Sequence, residues 1–153
     1  MMELKIGDKA PSFRLKNQDD LEISSQDFGS KTIVLYFYPK DNTSGCSIEA
    51  IDFTSLLGEF ASKGAVVIGI SPDSPKSHKK FIADKALKHI LLSDPDKSVA
   101  SAYGAYGKKM MYGKEVFGII RSTFVISPDG YIRNAFYNVR AKGHASKVLE
   151  SLS

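Results

Sequence analysis

The stretch Thr32-Ile33-Val34-Leu35-Tyr36-Phe37-Tyr38-Pro39-Lys40-Asp41-Asn42-Thr43-Ser44-Gly45-Cys46 decides how the rest of the chain is read. Residues 32–37 are apolar or β-branched without polar alternation, the pattern of a strand buried on both faces. Pro39 has no N–H to offer a ladder and so ends the strand. Beyond the polar loop, Phe53, Leu56, Leu57 and Phe60 recur at i, i+3, i+4, i+7, with Gly64 as a stop. That spacing predicts a helix over Gly45–Lys63. Cys46 then falls in the first turn of a helix, among backbone N–H groups without intrahelical acceptors and at the positive end of the dipole. Such surroundings favour thiolate, the reactive form of cysteine, over thiol.

Outward from this unit the elements alternate. The turn-rich first thirty residues predict a short hairpin around Phe13–Ile23. After Gly64 come a strand over Ala65–Ile70 and a helix over Pro75–Leu87, capped by Ser74 with Pro75 at its first position. Ile90–Leu92 reads as a short strand, Ser98–Tyr103 as a short helix, and Gly104–Gly118 as a long irregular loop. Strands Ser122–Ile126 and Tyr131–Tyr137 flank Ser127-Pro128-Asp129-Gly130, a strong turn signal. A last helix is expected over about His144–Leu152. Two right-handed crossovers followed by a hairpin give an α/β thioredoxin-like fold, a central mixed sheet flanked by helices, over one domain, 1–153. Cys46 then sits at the C-terminal end of a core strand, where open α/β sheets place their sites.

Composition narrows the class. With 153 residues, 42% hydrophobic and 25% charged, the chain matches an ordinary globular protein able to bury a full core. The start, Met1-Met2-Glu3-Leu4-Lys5-Ile6-Gly7-Asp8, shows no apolar leader run, and no apolar stretch approaches the length of a membrane span. A lone cysteine makes no internal disulfide, so a cytoplasmic protein is expected. The net charge of +4 comes from dispersed lysines, densest at Lys76, Lys79 and Lys80, which is a solvated surface and not a nucleic-acid footprint. Gly104-Ala105-Tyr106-Gly107-Lys108-Lys109 lacks the spacing and the Ser/Thr of a phosphate loop. His78 belongs to the lysine-rich helical face and is expected in solvent. His89 and His144 flank elements and match no catalytic or metal spacing, so no metal and no cofactor is expected.

The thioredoxin-type Cys-x-x-Cys spacing survives here as Thr43-x-x-Cys46. A hydroxyl one turn away can hydrogen-bond sulfur but cannot form a disulfide with it, which suits attack on an outside electrophile. Gly45 allows close approach to the backbone amides. Glu49 stands one turn beyond Cys46, either orienting an arginine or lying exposed at the helix start. Spacing alone does not choose among Arg14, Arg121, Arg133 and Arg140 as a cationic partner.

Pro39-x-x-x-Thr43-x-x-Cys46 resembles the active-site signature of peroxiredoxins. Gly7-Asp8-Lys9-Ala10-Pro11-x-Phe13 is similar to their opening. Tyr36-Phe37-Tyr38-Pro39-Lys40-Asp41, Glu49-Ala50-x-Asp52-Phe53, Ser71-Pro72-Asp73-Ser74, Leu92-Ser93-Asp94-Pro95, Arg121-Ser122-Thr123-Phe124 and Gly143-His144-Ala145 resemble the bacterioferritin comigratory protein branch, also called peroxiredoxin Q. The resemblance implies a thiol peroxidase for hydrogen peroxide and organic hydroperoxides, working through a cysteine sulfenic acid. It implies Cys46 as nucleophile and Thr43 as hydrogen-bond partner of sulfur or peroxide oxygen. Pro39 and Gly45 would shape the loop, with amides near Gly45 and Cys46 stabilising charge, and Arg121 would be the active-site arginine.

Two positions depart from the family pattern: Ser44 replaces a frequent proline, and Ile51 replaces a frequent resolving cysteine. The resemblance is therefore to the one-cysteine type, reduced by thioredoxin, glutaredoxin or glutathione, and acting as a monomer or weak homodimer. Ile48 and Ile51, off the Phe53–Phe60 stripe, would receive that partner unless the Met110–Tyr112 segment folds over them. The rival expectation is a non-catalytic redox sensor or chaperone-like binding module of the same fold, with Cys46 as its switch.

Overall fold

The computed structural model describes residues 3–152; Met1 and Met2, which open the stretch read for a leader, and Ser153 lie outside them. The strands are β1 (Arg14–Asn17), β2 (Glu22–Ser24), β3 (Thr32–Phe37), β4 (Ala65–Ser71), β5 (Ile90–Ser93), β6 (Tyr106–Met111), β7 (Lys114–Ile119), β8 (Ser122–Ile126) and β9 (Ile132–Phe136). The helices are α1 (Ser44–Ser55), α2 (Leu57–Ser62), α3 (Pro75–Lys85), α4 (Ser98–Ala102) and α5 (His144–Glu150). A seven-stranded sheet runs β2-β1-β5-β4-β3-β8-β9. Its centre, β3, β4 and β5, is parallel, and both flanks are antiparallel. This is the expected thioredoxin-like sheet, with the N-terminal hairpin closing the edge beyond β5.

β3 is buried at every residue, and alternation explains why. Val34, Tyr36 and Tyr38 point into one core with Phe53, Phe60, Phe81 and Val148; Ile33, Leu35 and Phe37 point into the other with Ile68, Ile70, Tyr103 and Phe124. Each fully buried side chain of this size stabilises the fold by about 1.5–3 kcal/mol. Among the described residues no helix is long and apolar enough to cross a membrane.

Three expectations need correction. The helix over Gly45–Lys63 is broken at Leu56, whose φ of −102° and ψ of 5° leave helical geometry. Ser55 donates its hydroxyl to the Asp52 carbonyl, offering the backbone an alternative to the regular ladder just before the break. The Gly104–Gly118 loop is instead the β6–β7 hairpin, a separate two-stranded sheet closed by Tyr112 and Gly113, both at positive φ. His78 is completely buried. On α3 it shares its inward face with Phe81, while Lys76, Lys79 and Lys80 turn outward.

Candidate active site

Strand β3 delivers the site. Tyr38 N–H still bonds the Ile70 carbonyl at 3.0 Å, and Pro39 then ends the ladder. The chain turns through Asn42 at φ 61° and enters α1 with Thr43 as its N-cap. The first bond of the helix runs from Ser47 N–H to the Thr43 carbonyl at 2.9 Å, so the amides of Ser44, Gly45 and Cys46 precede it. Cys46 is 2% exposed and packs beside Tyr36, Ala50 and Phe53.

Arg121, between β7 and β8, is the cation that reaches the sulfur. Its Nη2 donates to Cys46 Sγ at 3.3 Å, and its Nη1 donates to Glu49 Oε1 at 2.6 Å. A Cβ on Gly45 would stand 3.3 Å from Nη2, so glycine there leaves room for the guanidinium to lie over the helix start. Arg14, Arg133 and Arg140 have no such contact among the hydrogen bonds of the described residues; of the four arginines, Arg121 is the one placed at the sulfur. Glu49 is fully buried, which settles its alternative too: it grips the arginine. Burial pushes the Glu49 carboxyl up to about 7, against the lowering pull of Arg121, and its Oε2 has no hydrogen-bond partner. For Arg121 burial works downward, but Glu49 and Cys46 outweigh it and its pKa is raised.

Of the two partners expected for Thr43, the sulfur is not one here. The Thr43 hydroxyl donates to the Lys40 carbonyl at 3.0 Å and makes no bond to the sulfur. With its single proton committed, the oxygen faces any incoming molecule as an acceptor.

A buried polar knot missed in the sequence fastens the loop from behind. Asp41 accepts from Tyr38 Oη (2.6 Å) and Ser77 Oγ (2.7 Å), and its carboxylate meets His78 Nδ1 at 2.7 Å. The Asp41 amide donates to Asp73 Oδ2 at 2.7 Å. His78 Nε2 faces the Leu92 carbonyl at 2.9 Å. A carbonyl only accepts, so Nε2 carries a proton. Asp41, Asp73 and His78 cluster closely enough to suggest a metal site. Both imidazole nitrogens are occupied, however, so the knot is a structural anchor. The one available signal was His78 three residues before Phe81 on a helix, a core spacing masked by neighbouring lysines. His89 and His144 are also buried, bonded to Tyr36 and Thr54 and to Thr123. Burial holds them down at about 3 and about 4.

Ile48 and Ile51 are 45% and 44% exposed, and Tyr112 is almost wholly in solvent. The hairpin therefore does not cover the two isoleucines.

The chain matches the AhpC/TSA family over residues 6–135. It is 60% identical to the bcp protein of Helicobacter pylori (strain J99), which carries a peroxiredoxin name, over 99% of this chain and 100% of that one. It is 41% identical to peroxiredoxin Bcp of Bacillus subtilis, over 99% and 96%. Crystal structures of Xylella fastidiosa PrxQ (a cysteine-to-serine mutant) and of the Xanthomonas campestris bacterioferritin comigratory protein superpose with TM-scores of 0.92 and 0.86. Identity is 38% over 99% of this chain and 97% of the Xylella one, and 40% over 92% and 89% for Xanthomonas. Whole-length matches of this kind do not favour a non-catalytic sensor or binding module. With a single cysteine held under an arginine at the mouth of a thioredoxin-like sheet, the chain belongs to the AhpC/TSA family as a one-cysteine peroxiredoxin of the Bcp (peroxiredoxin Q) branch, a thiol peroxidase.

Proposed function

We propose that Cys46, as thiolate, attacks the terminal oxygen of hydrogen peroxide or an organic hydroperoxide. The sulfur lone pair forms the S–O bond and the O–O bond breaks. The transferred oxygen keeps its proton, giving sulfenic acid, and the departing hydroxide or alkoxide takes a proton to leave as water or alcohol. Arg121 and the amides at Gly45 and Cys46 stabilise the charge that moves from sulfur to the departing oxygen. Thr43, its own proton on Lys40, accepts the O–H of the peroxide, while Pro39 fixes the entry of the loop. The observation that carries this reading is Arg121 Nη2 on Cys46 Sγ at 3.3 Å. The name of the Xanthomonas structure, which refers to alkyl peroxide reduction by that protein, supports an organic hydroperoxide as substrate.

Resolution comes from outside. Cys46 is the only cysteine, so a thiol of thioredoxin, glutaredoxin or glutathione displaces water from the sulfenic acid to form a mixed disulfide. A second thiol then releases Cys46 and leaves as the oxidised reductant. The protein works in the cytoplasm, where such thiols are held reduced, as a monomer or weak homodimer. The test is peroxide consumption with a supplied thiol. Wild type should turn over, Cys46→Ser should fold and not turn over, and more than a few per cent of wild-type activity in that variant would overturn the assignment.

A further inference from the structure

Arg121 divides its two terminal nitrogens between Cys46 and Glu49. Glu49, bonded to Arg121 Nη1 at 2.6 Å, claims one side of that guanidinium. Whenever Glu49 is ionised, its carboxylate and a Cys46 thiolate together carry two negative charges against the one of Arg121. The β6–β7 hairpin brings a second cation to this end of the sheet.

Lys109 lies on the hairpin face that holds the directly opposed pair Gly107 and Gly118. Its stem crosses Gly118, where a Cβ would stand 3.1 Å from Lys109 Cε and 3.5 Å from Nζ. That open floor lets Nζ reach the Ile119 carbonyl at 2.7 Å, two residues before Arg121. An ammonium has three donors, so two remain. Among the described residues Lys109 has no carboxylate partner, unlike Lys108, which pairs with Glu115 at 3.5 Å. Burial lowers the Lys109 pKa, Arg121 lowers it further, and Cys46 opposes them.

We propose that Lys109 is the counter-cation of the Cys46 thiolate and a positioning residue for Arg121, clamping the Ile119–Arg121 segment through the Ile119 carbonyl. The proposal rests on reading Cys46 as the peroxide-reducing thiolate. Lys109 makes no hydrogen bond to sulfur in this geometry. It supplies field and placement, and Arg121 supplies the contact.

The test compares two alkylating probes of similar size on the intact protein at one pH: neutral iodoacetamide and anionic iodoacetate. A positive field at the sulfur speeds the anion selectively. In Lys109→Met, which keeps most of the stem, the iodoacetate-to-iodoacetamide rate ratio should fall about threefold or more, and peroxide reduction should slow about tenfold. Lys109→Arg should restore both to within about twofold, because charge and donor return. Gly118→Val, which evicts the lysine while leaving it in the sequence, should shift the ratio as Lys109→Met does. An unchanged ratio in Lys109→Met overturns the proposal while leaving peroxidase activity in place. A falling ratio in a protein without peroxide turnover upholds the counter-cation and overturns the peroxidase reading instead.

Discussion

Glu49 holds Arg121: Oε1 accepts from Nη1 at 2.6 Å, with the carboxyl fully buried and one turn of α1 beyond Cys46. Arg121 is thereby fixed through one terminal nitrogen, and the other is left to point at Sγ. Removing a charge-stabilising donor from an enzyme site costs about 10²–10³ in rate. Arg121→Met should slow peroxide reduction by that amount, and Thr43→Ser, which keeps the hydroxyl, should slow it far less. Thr43→Val, which loses the acceptor, should fall between them. A second-order rate constant for Arg121→Met within about twofold of wild type would make the arginine structural.

Gly45 offers a test in which activity and stability move in opposite directions. Its backbone is not in the left-handed region, and the only nearby atoms belong to Arg121, with Nη2 at 3.3 Å from an added Cβ. Gly45→Ala should favour the helix by up to about 1 kcal/mol. It should also push the guanidinium off the sulfur and slow peroxide reduction severalfold. Thermal unfolding and stopped-flow kinetics on the same sample check both. A faster or unchanged peroxide step would show that Arg121 tolerates displacement.

Three buried groups with large shifts, His89, His144 and Glu49, shape the dependence of stability on pH. His89 and His144, ordinarily near 6.5, are held down at about 3 and about 4 by burial. The unfolded chain binds their protons first, so their contribution is present above about 6.5 and is lost as pH falls through the folded values. Glu49 works the other way. Raised from 4.5 to about 7, it takes its proton earlier in the folded protein, so its contribution is present below 4.5 and is lost as pH rises through about 7. Between 4.5 and 6.5 the histidines outnumber the glutamate by one proton, and stability should rise with pH by at most about 1.4 kcal/mol per unit. Glu49→Gln removes the opposing term and should steepen that slope. Urea titrations at pH 5 and 6.5 measure it, and an equal or shallower slope in the variant would place the Glu49 proton outside this range.

The Asp41–His78 knot predicts where stability resides. Leaving a buried polar group without its partner costs about 1–3 kcal/mol. His78→Ala takes the imidazole from Asp41, which keeps Tyr38 and Ser77, and from the Leu92 carbonyl, so it should fall in that range. Lys79→Ala, one residue along α3 and exposed, should stay within about 0.5 kcal/mol of wild type. A His78→Ala variant as stable as Lys79→Ala would mean that water replaces the imidazole without penalty.

The sequence was most legible where one physical signal dominated. Uninterrupted apolar character marked β3, and the Ser-Pro-Asp-Gly turn marked the β8–β9 pair. The β6–β7 hairpin was hidden because its turn is Tyr112-Gly113 with both residues at positive φ, a conformation usually advertised by Asn-Gly. Its strands also pack too little to alternate, with Met110, Tyr112 and Phe117 mostly in solvent. Lys109 was lost with the hairpin. The burial of Glu49, and the choice of Arg121 among four arginines, depend on residues 72 positions apart meeting, a distance no local pattern reports. Family resemblance supplied the arginine; the sequence offered Glu49 as its partner only as one of two alternatives, and the fold decides between them.

Cys46 is 2% exposed, so a protein-sized thiol reaches the sulfenic acid only if the first turn of α1 opens. Ile48 and Ile51, neighbours at i, i+3 and both about half exposed, are apolar surface beside that turn with no hairpin over them. We expect a reductant protein to rest there. Peroxide without thiol should give a sulfenic acid that dimedone traps, and excess peroxide should drive it to sulfinic acid. Ile48→Asp with Ile51→Asp should then slow reduction by thioredoxin or glutaredoxin at least about tenfold while sparing the peroxide step. Glutathione, small enough to enter without a docking face, should lose little. Equal loss of the peroxide and thiol steps, or a fall in global stability, would show that the isoleucines serve packing and that the reductant docks elsewhere.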